Sequence, residues 1–166
     1  MFNGNIRYGP YRDIDDNIYF NFQNELMNFF KNAEIKIHPK GKKKYFQKLK
    51  KRKTIDLNFN KIYNNYDVYI FDYFSTPFSR AIATNKPIIY FDIGLRNLEK
   101  SVLDILKKRV YYFKINLDLN LEDQFNDCLI KLSLFKKSKI NLFSKKFSFN
   151  KKNENLTNLL KKIYEY

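Results

Sequence analysis

Two short apolar runs, at residues 68–71 and 88–91, constrain the fold of this chain more than any other feature. Both runs consist of β-branched and aromatic residues, and neither has a polar face. This composition is typical of parallel strands that are covered on both sides. Parallel strands must be joined by a crossover, which is usually a helix. The segment therefore predicts a strand, a helix and a second strand.

The residues between the two runs specify how the helix begins and ends. Ser75 or Thr76 can accept a hydrogen bond from a free backbone N–H, and Pro77 suits the first helical position. Pro87 disfavours helical geometry at the residue before it and cannot itself extend a helix. We therefore expect a helix from Pro77 to about residue 84, which makes the crossover short.

The start of this helix is the first candidate site. A helix N-terminus at the carboxyl end of a parallel strand presents free N–H groups and a partial positive charge, which suit a diphosphate. We expect Asp72, Ser75, Thr76 and Ser79 to line this mouth. The alternative is a plain N-cap with a solvated serine, which is the commoner arrangement.

The single histidine, His38, is the second candidate. Residues 35–38 are predicted to form a strand, and His38-Pro39 ends it at the same sheet edge as Ser75. A neutral imidazole there can donate to a phosphate oxygen or exchange a proton, so His38 is a catalytic candidate. The alternative is a histidine that ends the strand and binds a loop.

The stretch from Phe71 to Phe91 resembles the signature of the donor-side half of GT-B glycosyltransferases. The likeness is to bacterial surface-polysaccharide transferases and to CDP-glycerol glycerophosphotransferases of wall-polymer synthesis. Those families combine a hydroxyl-rich turn, a short helix and an Asn/Asp/Gly-Lys-Pro segment. Residues 34–40 resemble the strand and His-Pro element that precedes their signature. The resemblance implies a Rossmann-like parallel sheet flanked by helices, with Ser75 and Thr76 contacting the donor diphosphate.

The chain departs from this pattern on the signature helix. Many GT-B enzymes have an acidic residue there that binds the donor ribose, whereas this chain has Ser79 and Arg80. Ribose recognition therefore stays open. Arg80 could pair with a diphosphate through two hydrogen bonds, or it could cover the helix surface. In the loop after residue 91, Gly94 allows a close approach of the backbone to a bound group, and Arg96 is expected to help neutralise phosphate.

The rest of the chain alternates between predicted helices and strands. Helices are expected at 15–32, 98–108 and 121–134, a helical turn at 59–64, and strands at 54–57 and 110–115. The prediction is one domain over 1–166, with a lead-in at 1–14, a basic irregular segment at 135–152 and a final helix at 153–166. This length fits one half of a two-half GT-B enzyme. We therefore expect a second Rossmann-like half or subunit to supply the acceptor site and most of the catalytic groups.

The charge of +15, together with 18% aromatic residues, raises two further classes of partner, nucleic acids and anionic membranes. The basic residues are mostly lysines, and the sequence has no nucleic-acid motif, so a nucleic acid is not expected. The run between Lys42 and Lys53 is expected to contact the cytoplasmic face of a membrane, where each lysine contributes roughly 1 kcal/mol. A basic membrane or nucleic-acid module is kept as an alternative function.

Cysteine and apolar content complete the predictions. The one cysteine, Cys128, gives neither a disulfide framework nor a cysteine-based metal site, and no apolar stretch approaches the roughly 20 residues of a membrane span. We predict a cytoplasmic protein without metal or cofactor, whose substrate is a nucleotide-sugar or CDP-polyol donor. A non-catalytic α/β binding remnant is the other alternative.

Overall fold

The computed structural model describes residues 14–36, 53–55, 57–95 and 98–133, and these residues form an α/β fold. The elements, in chain order, are α1 (Asp16–Phe29), β1 (Ile35–Lys36), β2 (Thr54–Ile55), α2 (Phe59–Ile62), β3 (Tyr69–Phe71), α3 (Thr76–Ile82), β4 (Ile88–Asp92), α4 (Lys100–Lys107), β5 (Tyr111–Lys114) and α5 (Leu121–Ser133). The predicted α/β class and the predicted alternation are confirmed. The predictions for 1–13, 135–152 and 153–166 lie outside the described residues.

The main sheet contains β3, β4 and β5 in that order, and all its strands are parallel. Tyr69 lies opposite Ile88, and Phe71 lies opposite Tyr90. The parallel arrangement predicted for the two apolar runs is therefore confirmed. Because the strands run the same way, α3 must return the chain from the carboxyl end of β3 to the start of β4.

A second parallel pair, β1 with β2, lies beside this sheet. We expected one continuous sheet, whereas the described strands form two. Each strand of the pair has only two residues, so the pair contributes few backbone hydrogen bonds. One hydrogen bond links the residues that precede β1 and β3, since the Tyr66 hydroxyl donates to Glu34 Oε2 at 2.6 Å. Within the pair, Lys53 forms an ion pair with the same carboxylate.

Helices cover both faces of the main sheet, as the side-chain alternation of its strands requires. On one face, α1 and α5 pack over a cluster that includes Phe22, Phe91, Phe113 and Phe125. On the other face, α2, α3 and α4 pack over a cluster that includes Phe59, Phe78, Tyr90 and Leu106. Fully burying one such side chain contributes about 1.5–3 kcal/mol, so these two clusters hold the layers together.

Periodicity predicts that Ile18, Phe22, Leu26, Phe29 and Phe30 form the apolar stripe of α1, and that Phe125, Leu129 and Leu132 form that of α5. All of these residues except Ile18 and Leu129 pack in or against the core. In α1 the inward residues are Tyr19, Phe22 and Leu26, and the predicted Ile18 is 48% exposed. In α5 the inward residues are Phe125 and Cys128, and the predicted Leu129 is 44% exposed. In α1 the buried set also includes Gln23 and Met27, so it follows the alternating spacing of three and four residues that is usual for one face of a helix.

Val68 was predicted to begin a buried strand, but it is exposed, and β3 begins one residue later.

The cysteine side chain, Cys128, is buried in α5. Burial raises the pKa of the Cys128 thiol to about 11, so this thiol is protonated at neutral pH. Within the described ranges, none of the helices has the length and apolar character needed to cross a bilayer.

The crossover from α3 to β4 is held by Arg109, whose side chain is fully buried. Its Nη2 donates to the carbonyl oxygens of Thr84 at 2.6 Å, Ile82 at 3.2 Å and Lys86 at 3.3 Å, and its Nε donates to Ile82 at 3.3 Å. Burial lowers the pKa of Arg109 to about 10, so the guanidinium stays charged at neutral pH. A cation at this position satisfies the carbonyl groups that the end of a helix leaves free.

Replacing Arg109 by methionine should lower the free energy of unfolding by roughly 3 kcal/mol, because one buried and two half-buried carbonyl groups lose their donor. Urea denaturation of both proteins measures the difference. The matched control is Lys108→Met, which removes a neighbouring exposed cation and should change stability by less than about 0.5 kcal/mol. Equal losses in the two variants would show that the carbonyl contacts of Arg109 contribute nothing.

Candidate functional site

The start of α3 has the capping geometry that the sequence predicted. Ser75 has an extended backbone (φ −144°, ψ 167°), and its Oγ accepts a hydrogen bond from the Phe78 N–H at 3.4 Å. The N-cap is thus Ser75 rather than Thr76. The helix begins at Thr76, one residue before the predicted start, and Pro77 takes the next position, where its missing N–H costs nothing.

Three hydroxyl side chains lie on or beside the first turn of α3. Thr76 is exposed, and Ser75 and Ser79 are half-buried. The Ser79 hydroxyl donates to the carbonyl oxygen of Ser75 at 3.4 Å. This distance and that of the Ser75 cap exceed the usual range of about 2.5–3.2 Å, so both hydroxyls are weakly held. The structure thus places three of the predicted site residues on or beside the first turn of α3.

The other predicted site residues are placed as follows. Arg80 is half-buried on α3, on the same helix as the hydroxyls. His38 and Arg96 lie outside the described residues, as does the basic run from Lys42 up to residue 52. Their roles therefore stay predictions. Among the side chains that the structure describes, no group of three His, Cys, Asp or Glu residues is arranged to hold a metal ion.

Asp72, the first residue after β3, is only 2% exposed. Its Oδ2 accepts hydrogen bonds from the Tyr19 hydroxyl and from Gln23 Nε2, both at 3.0 Å. Burial raises the pKa of this carboxyl, and the two hydrogen bonds oppose that rise. A buried carboxyl covered by α1 does not suit a diphosphate contact, so Asp72 is left out of the site proposed below.

The contacts of Asp72 join α1 to the carboxyl end of β3, and sequence analysis missed this role. Its donors, Tyr19 and Gln23, lie four residues apart on one face of α1. One signal was present in the sequence: Gln23 is a polar residue beside the apolar stripe that contains Phe22 and Leu26. A buried amide at such a position needs a polar partner on the facing element.

Asp92 ends β4 at the same edge of the sheet. Its Oδ2 accepts a hydrogen bond from the Tyr112 hydroxyl, and its Oδ1 accepts one from the Gly94 N–H at 2.9 Å. Burial, with the hydrogen bond to Asp92 and its charge, raises the pKa of Tyr112. Gly94 has φ 78°, and a Cβ there would meet no atom within 4 Å. Backbone conformation, rather than space, therefore favours glycine at this position.

Comparisons of the chain with protein-family profiles, with curated proteins and with solved structures give no match. The resemblance between residues 71–91 and the GT-B signature therefore stays a hypothesis based on the residues themselves.

Asp72→Asn should change how stability depends on pH. The folded-state pKa of Asp72 is raised, so its contribution to stability is complete below about pH 4, the unfolded value, and is lost as the pH rises through the folded value. Asparagine can accept the same two hydrogen bonds and does not titrate. The stability of the variant relative to the wild type should therefore increase with pH and then level off, by about 1.4 kcal/mol for each unit of the shift.

Urea denaturation between pH 3 and pH 9 measures this difference. The matched control is Asp104→Asn, which makes the same substitution at an exposed position on α4. If the stability of Asp72→Asn relative to the wild type does not change with pH, burial does not raise the pKa of the Asp72 carboxyl.

Proposed function

We propose that this chain is the donor-binding half of a nucleotide-sugar-dependent, GT-B-like transferase of bacterial surface carbohydrate synthesis. One observation supports the proposal most directly. A helix capped by Ser75 begins just beyond the carboxyl end of the parallel strand β3, with the exposed hydroxyl of Thr76 in its first turn. In open parallel sheets, ligands bind at this edge, in the crevice outside the strand ends.

The first turn of α3 offers complementary chemistry to a diphosphate. Pro77 has no N–H and the Phe78 N–H is capped by Ser75, so the first turn offers the Thr76 N–H, and the helix end carries a partial positive charge. The Ser75 hydroxyl accepts from Phe78 and can still donate its own proton to a phosphate oxygen, as can Thr76, whereas Ser79 can do so once it releases the carbonyl oxygen of Ser75. In the proposal, Arg80 and Arg96 add positive charge, and His38 donates to the phosphate or transfers a proton.

The proposed activity needs a second Rossmann-like half or subunit. In a two-half transferase the reaction takes place in the cleft between the halves, so the acceptor and most catalytic groups come from the other half. The role of this chain is to hold the leaving diphosphate and to stabilise the negative charge that develops on it. We place this activity in the cytoplasm, where the basic residues from Lys42 to Lys53 would contact a membrane that carries lipid-linked acceptors.

A second candidate function is a non-catalytic α/β remnant, and the surroundings of Asp72 favour it. This residue follows β3 directly, where a donor site would use polar groups, yet its carboxyl is buried by α1 and hydrogen bonded to Tyr19 and Gln23. Part of the carboxyl edge is thus filled by packing. Nucleotide binding distinguishes the two candidates, since a remnant that has lost the site binds no donor.

Ser75→Asp separates a capping role of this residue from a binding role. Aspartate is as good an N-cap as serine, so the variant should fold with an unchanged or higher Tm. Its negative charge would repel a diphosphate a few ångströms away. We expect one of UDP, CDP, GDP, UDP-glucose or CDP-glycerol to raise the Tm of the wild type by about 5 °C at 100 times its Kd. The variant should bind it at least tenfold more weakly.

Two controls sharpen this experiment. Ser75→Asn keeps a good cap without the charge and should retain more of the binding than Ser75→Asp. Ser101→Ala removes an exposed hydroxyl from the first turn of α4 and should leave the shift unchanged. Absence of any shift in the wild type would contradict the proposal and favour the remnant. Salt-sensitive binding to random oligonucleotides, without a nucleotide effect, would instead favour a basic nucleic-acid module.

A further inference from the structure

Apolar side chains that are exposed or only half-buried collect at the carboxyl edge of the main sheet, on the face covered by α1 and α5. Ile18 is 48% exposed and Leu119 is 60% exposed. Ile14, Leu117 and Leu121 are half-buried and pack against the core cluster of this face. We call these five residues the edge patch. Apolar groups that lie together at a surface mark interaction sites, whereas single exposed ones need no explanation.

The topology places both parts of the edge patch at the same edge. The hydroxyl of Tyr19, the neighbour of Ile18, donates to Asp72, so the first turn of α1 lies at the carboxyl end of β3. Leu117 and Leu119 belong to the turn that follows β5, whose carboxyl end is at the same edge because the strands are parallel. Only β4 separates β3 from β5. At a strand spacing of about 4.8 Å, the two parts are therefore about 10 Å apart.

Exposed carboxylates border the edge patch. Each lies within two residues of a patch member along the chain; they are Asp15, Asp118, Glu122 and Asp123. None of the four is in an ion pair with another described residue. The chain as a whole carries a formal charge of +15. An acidic border around apolar groups, on a protein that is otherwise basic, favours a partner that is both apolar and basic.

The chain itself supplies such a partner after α5. Residues 134–166, which lie outside the described residues, contain nine lysines and two glutamates, a formal charge of +7. The sequence predicts a helix at 153–166, with Leu156, Leu160 and Ile163 on one face and Lys161 and Lys162 outside that face. From Leu156 to Ile163 the apolar face of such a helix is about 10 Å long, which matches the separation of the two parts of the edge patch.

The connection to this predicted helix is long enough to reach the edge patch. The 13 residues of α5 lead away from the patch, so Ser133 lies about 20 Å from it. Residues 134–152 can span up to roughly 60 Å when extended. A tethered segment also has an effective concentration on the order of 1 mM at its target, so a contact of modest affinity is well populated.

We propose that the edge patch binds the predicted C-terminal helix of the same chain, residues 153–166. The apolar face of this helix covers Ile18 and Leu119, and its lysines lie beside the acidic border. This contact uses no residue of the first turn of α3. The inference therefore does not depend on the proposed transferase function, and its test involves no donor nucleotide.

Paramagnetic relaxation in NMR spectra of the full-length chain measures whether residues 153–166 lie at the edge patch. A nitroxide is attached to Asn126→Cys, on the exposed side of α5, after the buried Cys128 has been replaced by alanine. We expect the backbone amides of 153–166 to broaden strongly compared with the reduced label. The same label at Lys61→Cys, on the opposite face of the sheet, should leave these amides unchanged.

Substitutions in the edge patch test which residues make the contact. The double variant Ile18→Ser and Leu119→Ser removes two exposed apolar side chains, so it should fold and should weaken the contact about tenfold. The matched control is Leu57→Ser, which changes another exposed leucine and should leave the broadening as it is. Asp118→Lys should also weaken the contact, because it reverses one charge of the acidic border.

A second copy of the chain could cover the same patch, and mixed samples distinguish the two occupants. An isotope-labelled chain without nitroxide is mixed with an isotopically unlabelled chain that carries the nitroxide. Broadening of 153–166 in this mixture, as strong as in the singly labelled chain, would overturn the proposal and indicate a dimer. No broadening of 153–166 from Asn126→Cys would also overturn it, as would equal broadening in the Ile18→Ser and Leu119→Ser variant.

Discussion

The rest of the described fold depends on the parallel pairing of β3 and β4 through a very short crossover. The chain leaves β3 at Phe71 and re-enters the sheet at Ile88, with only the seven residues of α3 in regular helix between them. A helix this short is marginal in isolation, so its ends must be fixed by other groups. Ser75 caps the start, and Arg109 satisfies the carbonyl groups at the end. Packing of Phe78 and Ile82, both buried, fixes the middle.

Two buried ionisable side chains, Asp72 and Arg109, lie at opposite ends of the segment formed by β3, α3 and β4. Asp72 follows β3 at the carboxyl edge and joins it to α1 through Tyr19 and Gln23. Arg109 precedes β5 and binds the carbonyl groups that lead into β4. In its described hydrogen bonds, Asp72 accepts from a hydroxyl and an amide, and Arg109 donates to carbonyl oxygens, so the partners of both are neutral. Neutral partners compensate only part of the free energy that burying a charge costs. For this reason burial shifts the pKa of each toward its neutral form.

Local patterns explain what the sequence could predict. The apolar runs, the cap at Ser75 and the breaker at Pro87 act over a few residues, and all three predicted features are present. The Tyr19–Asp72 contact joins residues 53 positions apart, and the Arg109–Ile82 contact joins residues 27 positions apart. No periodicity encodes such pairs, because they depend on how elements meet in space. The same reason explains why Tyr19 rather than the predicted Ile18 faces the core in α1, since the Tyr19 hydroxyl binds Asp72.

The position of Arg109 also bears on the electrostatics of the candidate diphosphate site. Its guanidinium lies against the negative end of α3, where it interacts favourably with the carbonyl dipoles. It therefore does not compete for the opposite end, where Ser75 caps the Phe78 N–H and Pro77 has no N–H, so that the Thr76 N–H is the one left for another acceptor in the first turn. An anion at that edge would complete the charge pattern of the helix, with a cation at one end and an anion at the other. The fold thus satisfies the last turn of α3 with Arg109 and caps its first turn with Ser75, and in the proposed function a diphosphate would add its negative charge at the first turn.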